Sequence, residues 1–278
     1  MLVIVLATAP LARAANCPQA DISASASLVQ DARSALLTIP AGADASTLLS
    51  REAGVAIIEM KSSLAAFVLA YMRCQPENVD ADGIEVDLSR LGWARTDTPV
   101  TMGAARGGWE LTFEVRRIDP GLLGITATFG IPCGTDTELM LFQHGDAGWT
   151  EIMRVASPPY RDSRKSYDRF DYAVSPPDAD GRRFLAEKHL PTLCEAPLSD
   201  IAYSIRRPGP TARAPRTIFA GRHSLSVADD DFGSVSAGAD EAEFRFHDRE
   251  AGSAELEEYV LRYMVSGQTV TAVQNSPP

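Results

Sequence analysis

Lysine and histidine are scarce in this sequence. The chain has only Lys61, Lys165 and Lys188 as lysines, and four histidines in all. With 26 basic residues against 37 acidic ones, its formal net charge is -11. So acidic a chain does not suit a general binder of nucleic acids or anionic membranes, whose phosphates attract Lys and Arg. The preference for Arg over Lys is typical of a GC-rich bacterial genome.

Long apolar runs are missing too, and none reaches the ~20 residues that a membrane span needs. Residues 1–14 hold a short apolar run and the small-residue pattern Ala12-Arg13-Ala14. This pattern is typical of a Sec-type signal peptide cleaved after Ala14, although no basic residue precedes the run. We expect an exported protein, periplasmic or extracellular, without a membrane span. The alternative is a buried N-terminal strand or helix.

No two cysteines have the C-x-x-C spacing of a redox or zinc motif. The four cysteines, Cys17, Cys74, Cys133 and Cys194, lie far apart along the chain. An even number of cysteines in an exported chain predicts two disulfides, with three possible connectivities. We favour Cys17 with Cys74 and Cys133 with Cys194, each closing a loop of roughly 60 residues that is worth on the order of 4 kcal/mol.

Familiar catalytic motifs are also absent. The chain has no phosphate-binding glycine loop, no dinucleotide fingerprint and no basic-aromatic nucleic-acid motif. Ser234 and Ser236 lie among glycines but do not fit G-x-S-x-G. The histidines are not spaced to place two imidazoles on one face of a helix or strand. The sequence therefore names no reaction and leaves open whether the protein is an enzyme.

Residues 15–92 form the predicted N-terminal part. Residues 18–44, rich in Ala, Ser and Asp, are expected to be an extended lead-in. Apolar residues at three- and four-residue steps then predict a helix from Ser46, its N-cap, to Arg73. Asn78 to Gly83 resembles the first half of an EF-hand loop, but Ser89 at the twelfth position cannot supply the bidentate carboxylate. We expect a turn that begins a solvated loop.

Residues 93–278 are predicted to form an antiparallel β domain, because apolar residues alternate with polar ones between turn signals. The fold class is mainly β, α+β overall: an antiparallel β-meander sandwich or open barrel, preceded by an N-terminal helical segment. A small propeller-like array is the alternative. The predicted strands cover 109–116, 122–129, 138–143, 149–155, 167–174, 182–190, 201–206, 216–220, 244–247, 258–265 and 268–273.

Two sets of side chains are candidates for binding. Asp229, Asp230 and Asp231 form the densest acidic stretch and could coordinate Ca²⁺ outside the cell; otherwise they form a solvated loop that protects a sheet edge. Trp149, Tyr160 and Tyr172 could line a ligand groove. Aromatic residues in alternating strands also commonly belong to the core.

The function expected first is a non-enzymatic module that binds a small molecule, a saccharide or a protein partner. The alternative is a secreted, glycosidase-like hydrolase that uses carboxylates. No cofactor is expected, except that Ca²⁺ is possible in either case.

Overall fold

The computed structural model describes residues 17–39, 48–93, 110–132, 134–191, 199–225, 232–249 and 256–273. Within these ranges, three helices come first, and the strands that follow form three four-stranded antiparallel sheets. This arrangement confirms a mainly antiparallel β fold with an N-terminal helical segment. No closed barrel forms among the strands within these ranges. The predicted signal peptide lies outside the described residues.

The first helix, α1 (Gln19–Thr38), occupies the segment predicted to be extended, so that prediction was wrong. Ile22, Val29 and Leu36 recur every seven residues and are buried. Together with the alanines between them, they form one apolar face that packs with the helix α2 (Arg51–Met72). Ala favours helix, and tertiary packing of this face stabilises α1 although few large apolar residues mark its periodicity.

The start of α2 differs from the predicted N-cap, Ser46. Ser50 caps the helix instead, its Oγ accepting a hydrogen bond from the backbone N–H of Ala53 at 3.1 Å. By length and composition α2 could cross a membrane, but 56% of its most apolar window is buried inside the fold. Such burial is typical of a core helix in a soluble protein.

A third helix, α3 (Ala81–Trp93), stands where the sequence predicted a solvated loop, so that prediction was wrong. Asp80 is not simply a turn residue: its Oδ2 accepts from the backbone N–H of Gly83 at 3.2 Å. Ile84 and Leu88, four residues apart, are fully buried. The Asp-rich turn therefore caps a helix, which is a common role for Asp.

All three sheets are meanders, in which each strand pairs with its neighbours in the sequence. Each predicted strand overlaps a strand of the structure, and only β9 is not anticipated by the sequence pattern. The first sheet contains β1 (Leu111–Asp119), β2 (Leu122–Ile131), β3 (Gly134–Gly145) and β4 (Gly148–Ala156). After a 3₁₀ turn (Ser163–Lys165), the second contains β5 (Arg169–Val174), β6 (Leu185–Leu190), β7 (Ser199–Arg207) and β8 (Arg216–Leu225). The third contains β9 (Val235–Ala237), β10 (Glu241–Arg249), β11 (Leu256–Ser266) and β12 (Thr269–Ala272).

The first sheet lies between the helices and the second sheet. Its helix side carries Phe113 of β1, which meets Phe67 of α2 edge to face with ring centroids 6.2 Å apart. Its opposite side carries Leu141 and Met153, which pack with Leu185 of β6 in a separate apolar cluster. Both faces are therefore covered, which explains why β2 and β3 are buried along most of their length.

The second sheet is covered in turn by the third. Tyr203 and Ile205 of β7 pack with Phe244 and Phe246 of β10. The rings of Tyr203 and Phe244 have centroids 4.9 Å apart. The elements thus stack in four layers, in chain order: helices, first sheet, second sheet and third sheet.

A disulfide joins Cys17 to Cys74, with the two Cα atoms 5.0 Å apart. This confirms the first of the two predicted pairs. The bridge ties the start of α1 to the turn after α2. Cys133 and Cys194 lie outside the described residues, and their pairing remains a prediction.

Candidate functional site: a polar pocket on the second sheet

A pocket of about 520 Å³ lies on the second sheet, over β6, β7 and β8. The face concerned is the one that meets the first sheet, and that contact involves mainly β5 and β6. On β8 the same face is exposed at Thr217, Ala220 and Arg222. The volume falls within the range usual for small-molecule sites, roughly 300 to 1,000 Å³.

Strand register arranges the pocket side chains in rows. His189 of β6 pairs with Ala202 of β7, which pairs with Arg222 of β8. In the next row Glu187 pairs with Ser204, which pairs with Ala220. Paired residues and alternate residues share one face of a sheet, so the rows lie side by side. Small residues on β7 and β8 leave the space that the larger side chains surround.

Glu187 is the centre of the polar network in this pocket, and its side chain is fully buried. Its Oε1 accepts hydrogen bonds from the hydroxyl of Ser204 at 2.5 Å and from Nε of Arg206 at 3.1 Å. Its Oε2 lies 3.1 Å from Nδ1 of His189. One carboxylate thus fixes three polar side chains on two strands.

These contacts decide the charge of Glu187. Burial by itself would raise the pKa of this carboxyl, but the hydrogen bond and charge of His189, the charge of Arg206 and the hydroxyl of Ser204 outweigh burial. The pKa of Glu187 is therefore held below its usual range. The carboxylate is ionised at neutral pH, and it orients the groups around it.

His189 is held from two sides. Its ring stacks on Tyr167 with centroids 3.7 Å apart, while Glu187 bonds to Nδ1. A carboxylate on Nδ1 favours the tautomer that carries a proton there. The other nitrogen, Nε2, makes no hydrogen bond to any residue that the structure describes. This nitrogen is available to a molecule in the pocket.

The arrangement does not match two familiar hydrolytic sites. Ser204 donates its hydroxyl proton to Glu187 and not to His189, so the Ser-His pair of a serine hydrolase is not formed here. Among the described lining residues, Glu187 is the single carboxylate. A glycosidase of the usual kind needs two.

The three aromatic residues predicted to bind a ligand lie in the interior, and none of them lines the pocket. Trp149 is 2% exposed and donates from Nε1 to the carbonyl of Pro76 at 3.0 Å. Tyr160 donates its hydroxyl to Asp136 at 2.9 Å, and Tyr172 packs between the first two sheets. These side chains fill the core.

The acidic cluster Asp229, Asp230 and Asp231 lies outside the described residues, and its Ca²⁺ site remains a prediction. Within the described ranges, no group of three or more His, Cys, Asp or Glu residues is placed to hold a metal ion. Phe232 directly follows this cluster in the sequence, and its carbonyl accepts a hydrogen bond from the buried amine of Lys188.

The pocket residues were missed at the sequence level, but one signal was present. Glu187, Lys188 and His189 are three consecutive polar residues in a predicted strand. A strand that is buried on both faces rarely carries such a run, because each polar group needs a partner. Only the register of β6 with β7 and β8 shows which partners they have.

Fold and pocket together define an α+β protein with a ligand-sized polar pocket on its second sheet. No family model matches the chain, and no curated protein matches its sequence.

Proposed function

We propose that this protein is an exported binding module that holds a small ligand in the pocket of the second sheet. The observation that carries the proposal is the network around Glu187, an ionised carboxylate buried at the base of a ligand-sized pocket. It holds Ser204, Arg206 and His189 in fixed positions before any ligand arrives. Such preorganisation lowers the entropic cost of binding.

A stabilising role alone is a weaker explanation of this network. Removing a charge from water costs several kcal/mol, and a buried ion pair often contributes less stability than apolar residues of the same size. The network also lies at a surface pocket and not in the closed core. In this pocket Arg206 keeps 19% of its side chain exposed and His189 keeps 15%. Partly exposed donors that are held by a buried acceptor suit recognition.

Export is part of the proposal. The Cys17–Cys74 disulfide supports it, because stable disulfides form mainly in oxidising compartments such as the bacterial periplasm. Cleavage after Ala14 would place Cys17 third in the mature chain, where the bridge would hold the new N-terminus against the helices. A secreted, carboxylate-based hydrolase is the less supported alternative, since its second carboxylate is missing from the described pocket lining.

A thermal-shift screen tests the binding proposal. The compounds are inorganic phosphate, succinate, maltotriose and spermidine, which cover anionic, neutral and cationic ligands. At least one should raise the melting temperature of the protein, and Ala202→Leu, which fills the space between His189 and Arg222, should abolish the shift. Ala272→Leu adds the same bulk on exposed β12 and should change nothing.

Ala220→Leu gives a second way to fill the pocket from an exposed position, should Ala202→Leu fail to fold by circular dichroism. If each compound stabilises the two pocket variants as much as the original protein, the pocket is not the binding site. If no compound stabilises the original protein, the proposal fails for these ligand classes.

A further inference from the structure

We infer that the ligand carries a compact oxyanion group, a carboxylate or a phosphate, which binds between Arg222 and His189 with Arg206 beside it. The inference rests on the proposed function and names its ligand class. The described pocket lining holds two permanent cations, and only one of them has a counter-ion among the described residues.

The charges of the pocket do not balance. Arg206 is paired with Glu187, its Nη2 lying 3.1 Å from Oε1. Arg222 forms no ion pair or hydrogen bond with any described residue, and it is exposed. Glu187 cannot serve Arg222 as well, because its two oxygens already meet Ser204, Arg206 and His189. An anion in the pocket would supply the missing counter-charge.

The geometry of the row fits such a group. His189 and Arg222 lie on either side of Ala202, and neighbouring strands are about 4.8 Å apart, so the two backbones are roughly 10 Å apart. The methyl group of Ala202 leaves the space between the two side chains open. A guanidinium presents paired N–H donors that match the oxygens of a carboxylate or phosphate. His189 lines the other side of this space.

The surrounding charge favours an anion as well. Residues 199–225 contain five arginines and one acidic residue, Asp200, although the whole chain has a net charge of -11. A positive region on a negative protein concentrates anions locally. The five are Arg206, Arg207, Arg213, Arg216 and Arg222.

Imidazole NMR gives a direct test, because the chain has only four histidines. The full-length mature protein is titrated with inorganic phosphate and, separately, with succinate, at an ionic strength held constant with sodium chloride. One imidazole signal should shift with added anion until it saturates. If that signal is missing from the spectrum of His189→Gln, it belongs to His189. The two titrations decide between phosphate and carboxylate as the preferred group.

Two arginine variants separate a site from general electrostatics. Arg222→Gln should raise the dissociation constant for the anion at least about tenfold, which is the effect of losing one charge-assisted hydrogen bond. Arg213→Gln removes the same charge from an exposed turn outside the pocket and should change it less than about twofold. Arg222→Lys keeps the charge but lacks the paired N–H donors, so its dissociation constant should lie between those of Arg222→Gln and Arg213→Gln.

Two results would overturn the inference. One is that neither anion shifts the His189 signal beyond chloride; the other is that Arg213→Gln weakens binding as much as Arg222→Gln. If maltotriose or spermidine then still stabilises the protein in a way that Ala202→Leu abolishes, the proposed function stands and only the ligand class is wrong. If no compound does so, both proposals fail.

Discussion

The amine of Lys61 on α2 lies 2.7 Å from Oδ2 of Asp136 on β3, and this ion pair joins the helical layer to the first sheet. The carboxylate of Asp136 is fully buried. It also accepts hydrogen bonds from the hydroxyls of Ser157 and Tyr160 and from the backbone N–H of Tyr167, each at 2.9 Å. One side chain therefore holds α2, β3 and the segment after β4 together.

Replacing Asp136 should be strongly destabilising. Asp136→Leu leaves the amine of Lys61, whose side chain is only 12% exposed, without its counter-ion. We expect a loss of about 3 to 5 kcal/mol in the free energy of unfolding, measured by urea denaturation. Lys61→Met combined with Asp136→Leu should recover part of that loss. As a control, Arg90→Gln breaks an exposed ion pair on α3 and should cost less than about 1 kcal/mol. Equal effects of Asp136→Leu and Arg90→Gln would show that the buried pair is unimportant.

Glu138, two residues further along β3, should make stability depend on pH. Burial raises the pKa of its carboxyl from 4.5 to about 8, against the attraction of Arg154 and Lys61. Between these two values the folded protein keeps a proton that the unfolded chain releases. The contribution to stability is therefore fully present below pH 4.5 and is lost as the pH rises towards 8.

Glu138→Gln should remove this pH dependence, because the amide does not titrate. Between about pH 5 and about pH 8.5, the original protein should lose on the order of a few kcal/mol more unfolding free energy than the variant. Urea denaturation at both pH values measures the difference, and groups common to both proteins cancel. Parallel pH profiles would show that Glu138 is not protonated in the fold.

The Cys17–Cys74 disulfide should contribute about 4 kcal/mol, the chain-entropy value for cysteines 57 residues apart. Replacing both cysteines with serine should lower the melting temperature markedly.

Mass spectrometry of the exported protein, with and without reductant, tests the wider prediction of two disulfides through a gain of about 2 Da for each bridge reduced. The same spectrum shows whether the chain starts at Ala15. An intact Met1 would contradict cleavage of the predicted signal peptide.

The contact between the first and second sheets depends on Gly124. A Cβ at this position would lie 2.9 Å from Cζ of Tyr172 and would overlap its hydroxyl. Gly124→Ala should therefore destabilise the protein by about 1 to 3 kcal/mol. Gly145→Ala is the matched control, because a Cβ there meets nothing within 4 Å.

Tyr172→Phe should recover part of the stability that Gly124→Ala loses. The hydroxyl of Tyr172 is buried and has no hydrogen-bond partner among the described residues, so its removal should be neutral or stabilising. It also removes the closest clash, although ring carbon Cζ stays 2.9 Å from the new Cβ. A double variant as unstable as Gly124→Ala alone would show that the hydroxyl of Tyr172 is not the main source of the clash.

All of the described strands except β9 could be predicted from the sequence, because most of them bury at least one face and apolar residues mark that face. Helix α1 could not, since alanines occupy much of its apolar face and only Ile22, Val29 and Leu36 stand out. Helix α3 was missed because an Asp at a turn and an Asp at an N-cap look alike until the following residues are placed.

The pocket lay beyond what the sequence pattern can predict. Alternation shows that Glu187 and His189 share a face, but the register with β7 and β8 brings Ser204, Ala202 and Arg222 beside them. Register is fixed by the packing of neighbouring sheets, which a single chain segment does not encode. By residue type, Trp149, Tyr160 and Tyr172 were better candidates for ligand binding, but their large apolar surfaces are buried in the core.

The stacking of layers in chain order has a consequence for how the protein folds. Each layer is one continuous stretch of chain, and each of the three sheets packs against the layer that precedes it in the sequence. A chain that emerges from its N-terminus, as from a ribosome or an export channel, can complete the helices and then add one meander at a time to a finished surface. Loop closures stay short within each sheet, which favours rapid and stepwise folding despite the high β content.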